Sequence, residues 1–247
     1  MKRNRYLLAM VAIGAIAFGL TFLTTTVALS GVLPQPPSPE RVNLLDVSFD
    51  GWRYVAYREG KEITAQTILS DTSSTGLEKF RAANRALANS LIPNGKTLPS
   101  SVVFNHPLPM SEFNDWINKH NLQVGSFQVR AIDGNGDRIT LFSTPDSKSV
   151  ISLEQLQVIL EWIQKQTGTV KVLGVISTDV MLPASDYDNL TTDSAVYLVD
   201  VTPAYVDKHL RQHLPALQSD DSLAISSYPV YWYLEDNQLV PDWRSVR

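Results

Sequence analysis

The chain has 247 residues, 44% of them hydrophobic, and a formal charge of −4. It holds no cysteine, which excludes disulfides, thiolate metal sites, a cysteine nucleophile and a lipidated cysteine together. The hydrophobic content is that of a folded domain rather than a disordered tail. An acidic balance without a basic cluster argues against nucleic acid or anionic lipid headgroups as partners.

Lys2, Arg3 and Arg5 precede a run from Tyr6 to Pro39 without a single charge. Leu7–Leu33 is long enough to cross a bilayer core, which needs about 20 apolar residues in a helix. The basic tip predicts a cytoplasmic N-terminus and a domain carried across the membrane. This signal anchor, residues 1–33, competes with a cleaved signal peptide, since Ala28 and Ser30 form a small-residue site that would release a chain starting at Gly31. Without Lys2, Arg3 and Arg5, the exported part sets 18 basic side chains against 25 acidic ones. The prolines of Pro34-Gln-Pro-Pro-Ser-Pro39 predict an extended spacer over 34–42, at ~3.1 Å per residue.

Residues 43–98 read as a strand-hairpin and helix subdomain. Asn43–Tyr57 is strand material around an Asp50-Gly51 turn. Thr75-Gly-Leu-Glu78 has the capping-box spacing and opens a helix that stops before Pro93. Residues 99–247 alternate more regularly. The expected elements are a strand at Ser101–Phe104, a helix at Met110–Lys119 and a strand at Gln123–Ile132. A tight turn at Asp133-Gly-Asn-Gly136 leads to a returning strand, Arg138–Phe142. Ser152-Leu-Glu-Gln155 opens a helix whose stripe is Leu153, Leu156, Leu160 and Ile163, with Ile159 beside it. Then come strand Val170–Val180, a short helix at Asp186–Leu190 and strand Val196–Val201. That last strand is too apolar to face water on either side, which predicts an interior place in the sheet. Thr202-Pro203 opens a helix through Leu214, and Tyr228–Tyr233 reads as a closing aromatic strand. The order β-α-β-β-α-β-α-β predicts an α+β fold, a ferredoxin-like α/β sandwich behind a single transmembrane helix.

Val102-Val-Phe, the following Met110-Ser-Glu-Phe-Asn-Asp-Trp116 and Val124 resemble the opening β-α-β of subtilisin-type propeptide and peptidase-inhibitor modules. Val172-Leu-Gly-Val-Ile, Leu182-Pro-Ala, Leu190 and Ala195-Val-Tyr-Leu-Val-Asp200 are similar to their closing strand, helix and strand. The resemblance covers about half of the exported part and implies a binding or inhibitory scaffold. It points to no functional residue.

Motifs with chemical potential are few. His209 and His213 share a helix face at the spacing of zinc ligands, but Leu210 stands where a general base would be, and the rest of the ligand set is missing. The same arc carries Val206, Leu210 and Leu214, so both imidazoles read as the rim of a packed face. Asp133–Asp137 resembles the start of a calcium loop, yet Arg138 and Thr144 occupy the positions that need Gly and Glu. Asn94-Gly-Lys-Thr97 has only the tail of a phosphate-binding loop, with Pro99 where the helix should begin. No catalytic residue, cofactor or metal follows from these patterns. The aromatic groups, Trp52, Tyr54 and Tyr57 early and Tyr228, Tyr231, Trp232, Tyr233 and Trp243 late, read either as sheet packing or as a protein-binding surface. The expected function is protein binding by a membrane-anchored extracytoplasmic domain without catalysis, as accessory subunit, assembly factor or regulator. The alternatives are a peptidase inhibitor or folding-assisting module, and an enzyme with an unfamiliar site.

Overall fold

Asp50 and Gly51 turn the chain between two antiparallel strands, β1 (Arg41–Ser48) and β2 (Trp52–Glu59). Gly51 takes a φ of +86°, a left-handed conformation that glycine adopts without steric cost. The computed structural model describes residues 41–60, 62–94, 97–145, 153–214, 217, 222–226 and 229–241. The expected anchor Leu7–Leu33 and most of the proline spacer lie outside these residues. Among the described residues, no helix is long and apolar enough to cross a membrane.

The expected strands and helices of the central part form, the strand expected at Ser101–Phe104 running four residues further at each end, and among the described residues the fold is mixed α+β with two sheets and six helices. After β2 comes β3 (Glu62–Leu69), which the sequence reading passed over; its alternate residues Ile63, Ala65, Thr67 and Leu69 are buried. Helix α1 (Ser74–Leu91) is capped by Ser73, not Thr75: the Ser73 hydroxyl accepts from the Gly76 amide at 3.2 Å, and Asp71 holds Ser73 in turn. A Cβ on Gly76 would sit 2.3 Å from the Asp71 carbonyl oxygen, so this entry requires glycine. Then follow β4 (Thr97–Leu108), α2 (Met110–His120), β5 (Gln123–Asp133) and β6 (Arg138–Ser143). Asp133 closes the β5–β6 hairpin by accepting the Asn135 and Asp137 amides.

Next are a 3₁₀ turn at Glu154–Leu156, α3 (Gln157–Thr167), β7 (Val170–Pro183), α4 (Tyr187–Thr191), β8 (Val196–Asp200) and α5 (Thr202–His213). Thr202 is not the cap of α5. It lies inside the helix, and its amide is held by the Asp200 carboxylate at 2.8 Å. A short β9 (Ser222–Ser226) pairs in parallel with β3, so the end of the chain completes the first sheet across the expected boundary at 98. The final element, α6 (Val230–Asp236), corrects the expected aromatic strand. Its buried residues Val230, Tyr231 and Leu234 follow helical spacing, which outweighs the β propensity of Tyr and Trp.

The second sheet has the order β6-β5-β7-β4-β8, all neighbours antiparallel. Each connection through a helix therefore skips one strand: β4-α2-β5 straddles β7, β6-α3-β7 straddles β5, and β7-α4-β8 straddles β4. These are split β-α-β units. The chain order is the one expected for a ferredoxin-like module, but the strand order is not. A ferredoxin-like sheet places the first and third of its four strands in the middle, whereas β5 and β7, the second and fourth, stand there. Strand β8 lies at an edge, against the expected interior place. Its apolarity has another cause: Val196 and Val199 enter one hydrophobic core and Leu198 the other, so both faces are buried although, among the described residues, only one edge has a partner strand.

Two cores flank this sheet. Phe113 and Trp116 of α2, Leu156, Ile163 of α3 and Leu190 of α4 pack with Val102 and Val175. Trp52 and Tyr54, Phe80 of α1, Val206 and Leu210 of α5 and Tyr231 of α6 pack with Val103 and Ile176. Consecutive strand residues point to opposite faces, so these cores lie on opposite sides of the sheet.

Candidate functional site

Most polar constellations are closed by their own partners. Arg130 of β5 is wholly buried and grips Glu235 of α6 bidentately, Nε to Oε1 at 2.9 Å and Nη2 to Oε2 at 2.7 Å. Arg138 also donates to Glu235 at 3.0 Å and to Asp236 at 2.6 Å. Trp232 lies against both cations, with guanidinium carbons 4.8 and 4.3 Å from its ring centre, and its indole N–H donates to Thr140 at 2.8 Å. Burial pushes the Glu235 carboxyl upward, while Arg130 and Arg138 oppose this. Burial likewise lowers Arg130, though a guanidinium stays protonated.

The late aromatic residues proposed as an interface are therefore divided. Tyr231 is buried at 2% exposure, and Trp232 and Tyr233 are half-buried. Tyr228 and Trp243 lie outside the described residues. The early group is core: Trp52 and Tyr54 are buried, and Phe49 stacks on Trp52 at 4.4 Å. Tyr57 is half-buried beneath the Arg41 guanidinium.

His209 and His213 stack at 4.0 Å on the rim of that cluster. The Tyr54 hydroxyl and His209 Nδ1 share a 2.6 Å hydrogen bond, and His213 Nδ1 donates to the His209 carbonyl at 2.9 Å. Burial and then the neighbouring His213 lower the His209 pKa, while burial and then Tyr205 push the Tyr54 hydroxyl up to about 12. Among the described residues, no three His, Asp or Glu side chains are grouped to hold a metal. In the Asn94–Thr97 segment, Gly95 and Lys96 lie outside the described residues.

One concave surface carries a pair of exposed arginines. A groove of about 540 Å³ runs along β8, with α1 as one wall and α4 contributing Tyr187 and Thr191. On α1 its lining is a single helical stripe: Glu78, Arg81, Arg85 and Asn89, with Ala82 and Ala86 between them. On β8 it is lined by Tyr197, Leu198 and Val199, residues of a strand that pairs, among the described residues, with β4 alone. The Tyr197 hydroxyl donates to Glu78 at 3.2 Å, and Arg81 lies 5.3 Å from the Tyr197 ring centre and 3.8 Å from Glu78. No carboxylate pairs with Arg85 among the described residues. Burial, then Glu78, raises Tyr197 to about 12; burial also raises Tyr187 to about 12, against the pull of Arg85.

Sequence reasoning missed this site. Arg81 and Arg85 show an i, i+4 basic pair flanked by small Ala82 and Ala86, a legible signal. That β8 would be an edge is a property of strand order, which no local pattern carries. Comparison with protein-family models, with curated proteins and with solved structures finds no match.

Proposed function

We propose that this chain is a membrane-tethered extracytoplasmic domain that docks another protein and carries out no catalysis itself. The observation behind this reading is the groove beside β8, a concave surface whose α1 wall carries the exposed Arg81 and Arg85. An exposed guanidinium is suited to pair with a carboxylate of another protein, bidentately and with fixed geometry. The tether rests on the uncharged run Leu7–Leu33 and the basic tip before it.

A photo-crosslinking side chain in place of Ala86, on the groove wall, tests the docking. It should give a discrete adduct with one protein in intact cells, while the same group at Lys165 on the exposed side of α3 should not. Equal labelling at both positions, or none at Ala86, removes the reading. The tether has its own test. The full chain should stay in the membrane pellet after carbonate washing, with a tag at Arg247 open to protease from the extracytoplasmic side. A soluble form starting at Gly31 would replace the tether by secretion.

A second reading is an inhibitory or folding-assisting module. It draws support from the split β-α-β connections at β4-α2-β5 and β7-α4-β8, the two segments that resemble such modules. The ferredoxin-like comparison extends only to the chain order of β4–β7 and the helices between them, not to their order in the sheet. Inhibition of a subtilisin-type peptidase by the purified chain would favour this reading.

A further inference from the structure

We infer that the groove beside β8 binds a phosphate monoester, a small organic molecule whose phosphate is held by Arg81 and Arg85 from one wall and by the Tyr187 hydroxyl from another. This goes beyond the docking reading and does not rest on it; a docked protein and a free ester would contend for the same arginines. Tyr187 carries the argument. The residue is 2% exposed, and its hydroxyl has no hydrogen-bond partner among the described residues. A buried tyrosine ordinarily finds one. The hydroxyl is not sealed in the way of the Trp116 indole N–H, a buried donor left without a partner. The small open part of Tyr187 therefore includes its hydroxyl, and it faces the groove that the residue lines. With burial raising its pKa to about 12, the hydroxyl keeps its proton and is a donor.

The surrounding charge fits an anion. After burial, Arg85 is the strongest influence on that hydroxyl; Asp200 and Asp188 oppose it, and Arg81 joins it. Both guanidinium groups and the hydroxyl thus share one neighbourhood. The nearby carboxylates are engaged or remote from the opening: Asp200 is 2% exposed and holds the Thr202 amide, and Glu78 accepts from the Tyr197 hydroxyl at 3.2 Å. The Arg81–Glu78 contact at 3.8 Å joins side chains 45% and 59% exposed, so it competes weakly with an incoming anion. The donor set selects phosphate over carboxylate. One guanidinium satisfies both oxygens of a carboxylate, which would leave the second arginine and Tyr187 unused. A phosphate monoester brings about −1.5 to −2 of charge and three strong acceptor oxygens. These match two cations one helical turn apart, about 6 Å along the axis, with a third donor across from them. The groove, at about 540 Å³, lies within the ~300–1,000 Å³ of small-molecule sites and leaves room for the organic part.

The test uses the full chain in detergent and isothermal titration with phenyl phosphate. Phenyl phosphate should bind, and benzoate and phenyl sulfate, each singly charged, about tenfold or more weakly. Binding should strengthen as pH rises through about 6, where the ester loses its second proton, and weaken as salt rises. R81Q/R85Q should lose about tenfold or more, and the single changes, both at exposed positions of α1, should each lose part of it. Y187F keeps the packed ring, removes only the donor and should weaken binding about fivefold. An unfolding midpoint equal to that of the natural chain without ligand shows that each variant is folded. Absence of phenyl phosphate binding, full binding in R81Q/R85Q or in Y187F, or benzoate as tight as phenyl phosphate overturns the inference. Inorganic phosphate as tight as phenyl phosphate overturns the ester and assigns the groove to free phosphate.

Discussion

On the face of the five-stranded sheet covered by α2 and α3, burial is the work of Phe113, Trp116, Leu156 and Ile163, side chains whose one polar group is the Trp116 indole N–H. On the opposite face, the same sheet meets a buried guanidinium, a buried carboxylate and a tyrosine bonded to a histidine. Val129 and Arg130 are neighbours in β5 and show the contrast within one dipeptide: each is 0% exposed, one in an apolar core and the other in an ionic cluster. The apolar face is held by area alone, which tolerates substitution in proportion to volume. The opposite face has an apolar core of its own, with Phe80, Val206 and Leu210, and adds to it the Arg130–Glu235 pair, which fails abruptly when one partner is removed.

The largest expected effect lies on the ionic face. Arg130→Met leaves Glu235 buried with only Arg138 beside it, and should destabilise by about 3–5 kcal/mol in chemical denaturation. The double change Arg130→Met with Glu235→Met should recover most of that loss, because no charge is then left without its partner. A single variant close to wild type would mean that α6 is held by aromatic packing alone, and the two faces would not differ in kind.

The apolar face should respond in a graded way. Ile163→Ala, at a residue 6% exposed, should lose about 2–5 kcal/mol. Leu160, expected from the helical stripe to be equally buried, is only partly buried against that core. Leu160→Ala should cost about half as much, since less area returns to water. Equal losses would place Leu160 deeper than its exposure indicates. Tyr231→Ser belongs with the large effects, in contrast to its expected role as a surface contact.

This unevenness also explains what was legible. Hydrophobic period revealed α2, α3, β5 and β7, because apolar burial leaves a repeat in the sequence. It could not reveal Arg130–Glu235, whose partners are 105 residues apart and look individually like surface charges. It misread α6, where Tyr231, Trp232 and Tyr233 favour a strand by propensity while Val230, Tyr231 and Leu234 pack as a helix. It misplaced β8 because hydrophobicity reports covered faces and not covered edges. The groove was hidden for the same reason, although Arg81 and Arg85 stood in view.

Asp200 makes a smaller, pH-dependent test at the seam between α1, β8 and α5. It is 2% exposed, and burial raises its carboxyl to about 6 despite help from the Thr202 amide, Thr202 and Asn84 side chains. Between about pH 4 and 6 the folded chain keeps a proton that the unfolded chain has lost. Stability should therefore fall across that interval by up to about 3 kcal/mol and then level off. Asp200→Asn keeps an oxygen for the Thr202 amide and should flatten that slope. An unchanged slope would assign it to other carboxylates.

The smallest expected effect separates the rim of the ionic face from its centre. Tyr54→Phe keeps the ring in its cluster with Phe49 and Trp52 and removes only the 2.6 Å hydrogen bond to His209. His209 is half-buried, so water can reach part of the vacated position, unlike the enclosed Glu235. The loss should stay near 1 kcal/mol, the net worth of one neutral hydrogen bond. His209 should remain neutral at neutral pH in the variant, because burial and then His213 depress its pKa. Denaturation of Tyr54→Phe beside Arg130→Met, with an NMR titration of His209, reads both quantities. Should Tyr54→Phe prove as damaging as Arg130→Met, the aromatic rim is as closed to water as the ion pair, and the polar contacts of that face act as one unit.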